Sequence, residues 1–111
     1  MSRAMRNLNP GNIRLSATRF KGEVVPSRDS AFKQFESLEY GYRAMFVLLD
    51  TYARRYGLSS IRQRIDSRSP RDMVPIVAAM AEIESGESPS IEDIHRGWNL
   101  FARDRDAVAV E

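Results

Sequence analysis

Cysteine is absent from the chain. Disulfides, thiolate metal sites and a cysteine nucleophile are thereby excluded, and stability has to come from packing. No apolar run approaches the roughly 20 residues that a membrane-spanning helix needs. The opening Met1-Ser2-Arg3-Ala4-Met5-Arg6 lacks the apolar middle of a secretory signal, so neither a leader nor an anchor of its own is expected. Histidine occurs once, as His95, without a second His at ligand spacing and without an identifiable triad partner. Metal binding and serine-hydrolase chemistry are therefore not expected, and with no Gly-rich phosphate loop no cofactor is expected either. Lysine is scarce as well, only Lys21 and Lys33 among 17 basic residues.

What is present fits one domain. The chain has 111 residues, 42% of them hydrophobic, and a net charge of +2, enough to bury one modest core and too little for two. The charge is polarised along the sequence: residues 1–71 hold 14 basic and six acidic side chains, whereas residues 72–111 hold three and nine. A basic half can attract an anionic polymer, or can be solvated and paired with the acidic half.

Residues 1–36 are rich in Asn, Pro, Gly and Ser and read as loops and brief strands. A small hairpin is expected between Gly22–Val25 and Ala31–Phe35, turned by Pro26-Ser27-Arg28-Asp29-Ser30. Phe32 and Phe35 are three apart, which breaks strict alternation and predicts a bend between them. From Ser37 the apolar period becomes helical, with Leu38, Tyr42, Met45, Leu48, Leu49, Tyr52 and Tyr56 recurring every three or four residues. Ser37 suits the N-cap, Gly57 the end, and Gly41 in the second turn suits close approach by another backbone segment. A short helix through Ile61 and Ile65 should follow. Ser69-Pro70-Arg71-Asp72 opens the next, lined by Met73, Ile76, Val77, Met80 and Ile83 and ended by Gly86. Ser90-Ile91-Glu92-Asp93 opens the last, lined by Ile91, Ile94, Trp98 and Phe101. The expected fold is thus mainly α with a small β-hairpin: 1–36 loop and short strand, 37–102 about four helices, and 103–111 a tail prone to fray. The aromatic and Met stripes, Tyr52, Trp98 and Met80 included, are expected in the core.

The string Arg6-Asn7-Leu8-Asn9-Pro10-Gly11-Asn12-Ile13-Arg14 continues with Phe20-Lys21-Gly22, Phe32-x-x-Phe35, Gly41-x-Arg43-Ala44 and Leu48-Leu49-x-x-Tyr52. In order and spacing it resembles a family of phage and prophage virion structural proteins. The resemblance implies a compact lysozyme-like domain and kinship with peptidoglycan hydrolases. Two departures stand out. Leu8 occupies a position where the pattern carries Asn. After Ile61–Ile65 the chain also passes through Ser67-Arg68-Ser69-Pro70 directly to Asp72, where the family continues with an aromatic-Ala-Pro segment and a further helix.

Chemistry is sought accordingly. A glycosidase needs a carboxylic acid to protonate the leaving oxygen and often a second carboxylate. Glu84 is the candidate acid, because Glu84-Ser85-Gly86 at a helix end resembles the way lytic transglycosylases and related lysozymes present theirs; Glu36 and Glu39 are weaker candidates. Asn7, Asn9, Asn12 and Arg14 are candidate contacts to sugar hydroxyl and acetamido groups, with Tyr40, Tyr42 or Trp98 as stacking faces. The same Asn-Pro-Gly-Asn residues also suit a rigid turn that holds the N-terminal segment onto the Gly41 helix. Three functions follow: a phage-associated muramidase or lytic transglycosylase, a non-catalytic virion or glycan-binding module, and, least favoured, a nucleic-acid binder using Arg54, Arg55, Arg62, Arg64, Arg68 and Arg71. The expected partners are peptidoglycan glycan strands or other virion proteins rather than a membrane, and the expected location is a virion, or the bacterial cytoplasm before release.

Overall fold

A short helix and a hairpin precede four longer helices. The computed structural model describes the backbone of residues 1–110 and the side chains through Asp104. The elements are α1 (Arg3–Arg6), β1 (Glu23–Val24), β2 (Gln34–Phe35), α2 (Leu38–Arg55), α3 (Ser59–Asp66), α4 (Pro70–Ser85) and α5 (Ile91–Val110). The expectation of a mainly helical chain with a small hairpin holds. One turn of helix, α1, was hidden in the loop region: the Ser2 hydroxyl caps it by accepting from the Met5 N–H. At the other end α5 runs on to Val110, into the stretch expected to fray, since no Gly or Pro follows Gly97 to stop it. Glu111 lies outside the described residues.

The hairpin is antiparallel, with Glu23 opposite Phe35 and Val24 opposite Gln34. The Phe32-x-x-Phe35 spacing has a simple cause. Phe32 pairs in an isolated bridge with Arg14, while the residues after Lys33 pair with β1, so the segment changes partner midway. Phe35 is buried and Phe32 half-buried.

Ser37 caps α2 as expected, accepting from the Tyr40 N–H, and Gly86 closes α4 at φ 71°. Pro70 stands at the start of α4, where its missing N–H breaks no helical bond. The core joins Tyr42, Met45, Phe46, Ile65, Met73, Val74, Val77, Ala81, Ile94, Trp98 and Phe101. At its centre the Phe46, Trp98 and Phe101 rings lie 5.1 to 5.9 Å apart, Phe46 edge-on to Trp98. Burial, reinforced by nearby Asp93, pushes the Tyr42 hydroxyl up to about 12, so it stays neutral. α5 can lie this close to α2 because of Gly97. A Cβ there would stand 2.7 Å from Tyr42 Cβ and 2.9 Å from Arg43 N and Glu39 O.

The apolar stripes were only half right. Trp98 is buried, but Tyr52 and Tyr56 are 57% and 58% exposed, Ile83 is 81% exposed, and Leu48, Met80 and Ile91 also face solvent. The covered side of α2 is instead Tyr42, Met45, Phe46 and Ala53. Leu48, Tyr52 and Tyr56 follow Gly41 and Met45 along a neighbouring stripe at i, i+3 and i+4 steps. The N-terminal loop covers that stripe at Gly41 and Met45, and Leu48, Tyr52 and Tyr56 beyond it are exposed.

Candidate functional site

The Asn-Pro-Gly-Asn segment follows α1 and lies against α2. Gly41 is the seat: a Cβ there would run into the Leu8 carbonyl oxygen and come within 2.7 Å of Pro10 Cδ. A Cβ on Gly11 would come within 2.8 Å of Met45 Cγ. The expected close approach of a backbone segment at Gly41 is therefore real, and the segment is this loop.

Its asparagines bond mostly inward. Asn9 is fully buried. Its amide N–H groups donate to the carbonyls of Ile13 (3.0 Å) and Lys33 (2.9 Å), and its Oδ1 accepts from the Ile13 N–H. Both donors are thus occupied by main chain, and the loop is tied to the Arg14–Phe32 bridge. Asn7, also buried, donates to Asp29 and accepts from Arg28 Nε at 3.2 Å. Asn12 differs. It holds φ at 51°, its Nδ2 reaches the Glu84 main-chain oxygen at 3.5 Å, and its Oδ1 is buried with no hydrogen-bond partner among the described residues. Leu8 sits at φ 53°, a left-handed conformation that costs a branched apolar residue about 1 to 2 kcal/mol and an Asn less. The Asn of the resembled pattern would suit this position on backbone grounds alone.

The other candidates scatter. Arg14 is exposed and stacks on the Phe32 ring, 5.2 Å from its centroid, with Arg3 at 4.8 Å from the same ring. Tyr40 packs on Gly22, whose φ of 75° and lack of Cβ make room for the ring. Tyr42 and Trp98 are 1% and 3% exposed, so neither offers a sugar-stacking face: the core needs their area more than the surface does. Glu84 stands exposed at the end of α4. Of the proposed site, then, the structure brings together Asn12 and Glu84 through the latter's main chain, links Asn7 and Arg14 only through Arg3, Asp29 and the Phe32 ring, and places Tyr40 against Gly22.

Sequence reasoning missed two carboxylates near Glu84. Glu87 accepts from the Ser2 main-chain N–H at 2.7 Å, which holds its carboxyl below the ordinary range and ties the start of the chain to the turn after α4. Glu82, on the opposite side of α4 from Glu84, lines a concavity of about 660 Å³ with Arg71, His95 and an apolar wall that includes Pro75, Ala78 and Ile91. A fourth carboxylate organises the N-terminal region. Asp29 accepts a two-pronged bond from Arg3 (2.7 Å each), one from Asn7 and two from the main chain at Ala31 and Phe32. The Arg3 guanidinium first, then the Ala31 N–H and Asn7, hold this carboxyl well below the usual carboxylate range.

The pH consequence follows from that direction. A carboxyl whose folded pKa is depressed adds stability above its unfolded value near 4 and loses it as pH falls toward the folded value. Thermal unfolding followed by circular dichroism from pH 6 to pH 2 should therefore show the melting temperature dropping below about pH 4. Asp29→Asn should be less stable at pH 6 and show a shallower acid limb. Parallel limbs in the two proteins would contradict this role.

The basic surface is partly consumed inside the molecule: Arg54 is bound to Asp50 (2.8 Å) and Asp66 (3.0 Å), and Arg43 and Lys21 both hold Asp104. Among the described residues no group of three or more His, Cys, Asp or Glu could hold a metal ion, and no helix is long and apolar enough to cross a membrane.

No family model matches the chain. It is similar to Protein P5 of Pseudoalteromonas phage PM2, 27% identical over an alignment of 133 positions that covers 90% of this chain and 83% of that protein. The alignment is longer than the chain, so the phage protein carries segments that this one does not. The similarity to this phage protein thus extends over nearly all of the chain.

Proposed function

We propose that this is a phage-associated module that binds peptidoglycan glycan strands or takes a structural place in the virion, without cleaving the wall. The observation that carries this reading is the bonding of the signature loop. Asn9 is buried with both amide donors on main chain, and Asn7 is bonded to Arg28 and Asp29, so these residues build a scaffold rather than a catalytic cleft. Glu84 stands exposed at a helix end rather than inside a cleft.

A second reading, a muramidase or lytic transglycosylase with Glu84 as general acid, is favoured by the meeting of Asn12 and Glu84 and by the neighbouring Glu87, whose carboxyl is held ionised. One pair of assays separates the two. The purified chain should sediment with insoluble peptidoglycan or enter particles, and should release no more dye from labelled wall than Glu84→Gln does. Dye release by the wild type that Glu84→Gln abolishes would establish the second reading. Failure both to bind wall and to enter particles would remove the first.

A further inference from the structure

Arg3, Arg6, Asn7, Arg28 and Asp29 line a second concavity of about 290 Å³ on the N-terminal side of the molecule. Three guanidinium groups share it with one carboxylate. Asp29 already has its partners: Arg3 grips it with Nε and Nη2, and Asn7 and two main-chain N–H groups complete its shell. Arg28 is fixed at two points, its main-chain N–H on Gln34 Oε1 at 2.9 Å and its Nε on Asn7 Oδ1. Its two terminal nitrogens have no bond among the described residues. Arg6, exposed on the last turn of α1, supplies a second cation that no carboxylate balances within the pocket. Arg14, on the same Phe32 ring as Arg3, widens the positive surface. The site therefore has a fixed frame, an excess of positive charge and planar donors that match an oxygen pair.

We propose that this pocket binds a small oxyanion, a carboxylate or phosphate group, through Arg6 and the terminal nitrogens of Arg28. Guanidinium forks recognise both groups by paired N–H donors. The volume lies at the lower end of ligand sites, which fits an anionic group of a larger ligand better than a whole one. The inference is independent of the glycan-binding reading, because it concerns the anion and not the polymer that carries it.

The test is a nuclear magnetic resonance titration of the full 15N-labelled chain with sodium phosphate and, separately, sodium acetate, each compared with sodium chloride at equal ionic strength. Saturable shifts of the Asn7, Arg28 and Asp29 amides are expected with at least one of the two anions and not with chloride. The stronger responder identifies the group. Arg6→Gln should weaken binding at least fivefold while leaving the melting temperature unchanged, and Arg28→Lys, which keeps the charge but loses the fork, should weaken it too. Shifts that chloride reproduces, or that persist at full affinity in Arg6→Gln, would overturn the proposal. Should Arg28→Lys fail to fold, Arg6→Gln decides alone.

Discussion

Lys33→Ala is expected to cost about 3 to 5 kcal/mol, the range found when one partner of a buried ion pair is removed. Lys33 is fully buried. Its ammonium donates to the carbonyls of Ser16 (3.3 Å) and Thr18 (2.7 Å) and to Glu23 Oε2 (2.9 Å), with the Phe20 ring alongside. Glu23 is nearly as enclosed, its side chain 3% exposed, and its other oxygen accepts from the Phe20 N–H. One lysine thereby fastens the 16–20 loop to the hairpin, and Asn9 bonds the Lys33 carbonyl from the other side. Alanine would leave the enclosed Glu23 carboxylate with only the exposed Arg19 guanidinium, 4.0 Å away, as a cation, and the Thr18 carbonyl without its donor. Urea unfolding should show the loss as a lower midpoint at unchanged slope. Changing both partners, Lys33→Met with Glu23→Gln, should recover part of it, because an uncharged pair leaves no unpaired charge inside. A loss below about 1 kcal/mol in Lys33→Ala would place it in the range of a solvent-exposed pair and refute the clamp.

Gly41→Val is expected to cost about 3 kcal/mol, the upper part of the range for overpacking. Glycine early in a helix normally forfeits up to about 1 kcal/mol relative to alanine, so a residue that tolerates this has a use. Here the absent side chain is where the Leu8 carbonyl and Pro10 lie. The obstructing groups are a main-chain carbonyl and a rigid proline ring on a segment pinned by Asn9, which cannot give way as a flexible side chain would. The damage should be local as well as global. Amide hydrogen exchange should accelerate at Asn9, whose N–H is bonded to the Ala4 carbonyl of α1, and at Asn12 and Ile13, whose N–H groups are bonded to Asn9, while the α2–α5 core around Trp98 exchanges only at the rate set by the lower overall stability. Retention of wild-type protection in the loop would show that it can shift without penalty.

How much of this was readable without coordinates depends on the distance over which each cause acts. The Ser37 cap, the Pro70 start, the Gly86 stop and the hairpin between Gly22 and Phe35 are local matters of backbone freedom and hydrogen bonding. They were legible, and so was the use of Gly41, because a glycine inside a strong helical pattern is costly enough to require a neighbour. Lys33 was not legible. Its residue type is almost always solvated, and only the folding of Glu23 and two carbonyls around it makes burial tolerable. The site suffered in the same way. Residue types that bind sugars also build turns, and sequence spacing does not say whether an amide points outward or, as in Asn9, into its own loop.

By itself the sequence determined the helical class, the hairpin and the helix limits set by caps and breakers, and it carries the similarity to a phage protein. Tertiary structure decided which apolar stripe of α2 and α4 became core. It also turned Asn7 and Asn9 into scaffold, gathered Arg3, Arg6 and Arg28 around Asp29, and set Asn12 against the end of α4. The physical reason is that periodicity and capping act within a turn or two of chain. Burial, charge pairing and the exposure of a donor depend on segments as far apart as Ser2 and Glu87, which meet only when the chain has folded.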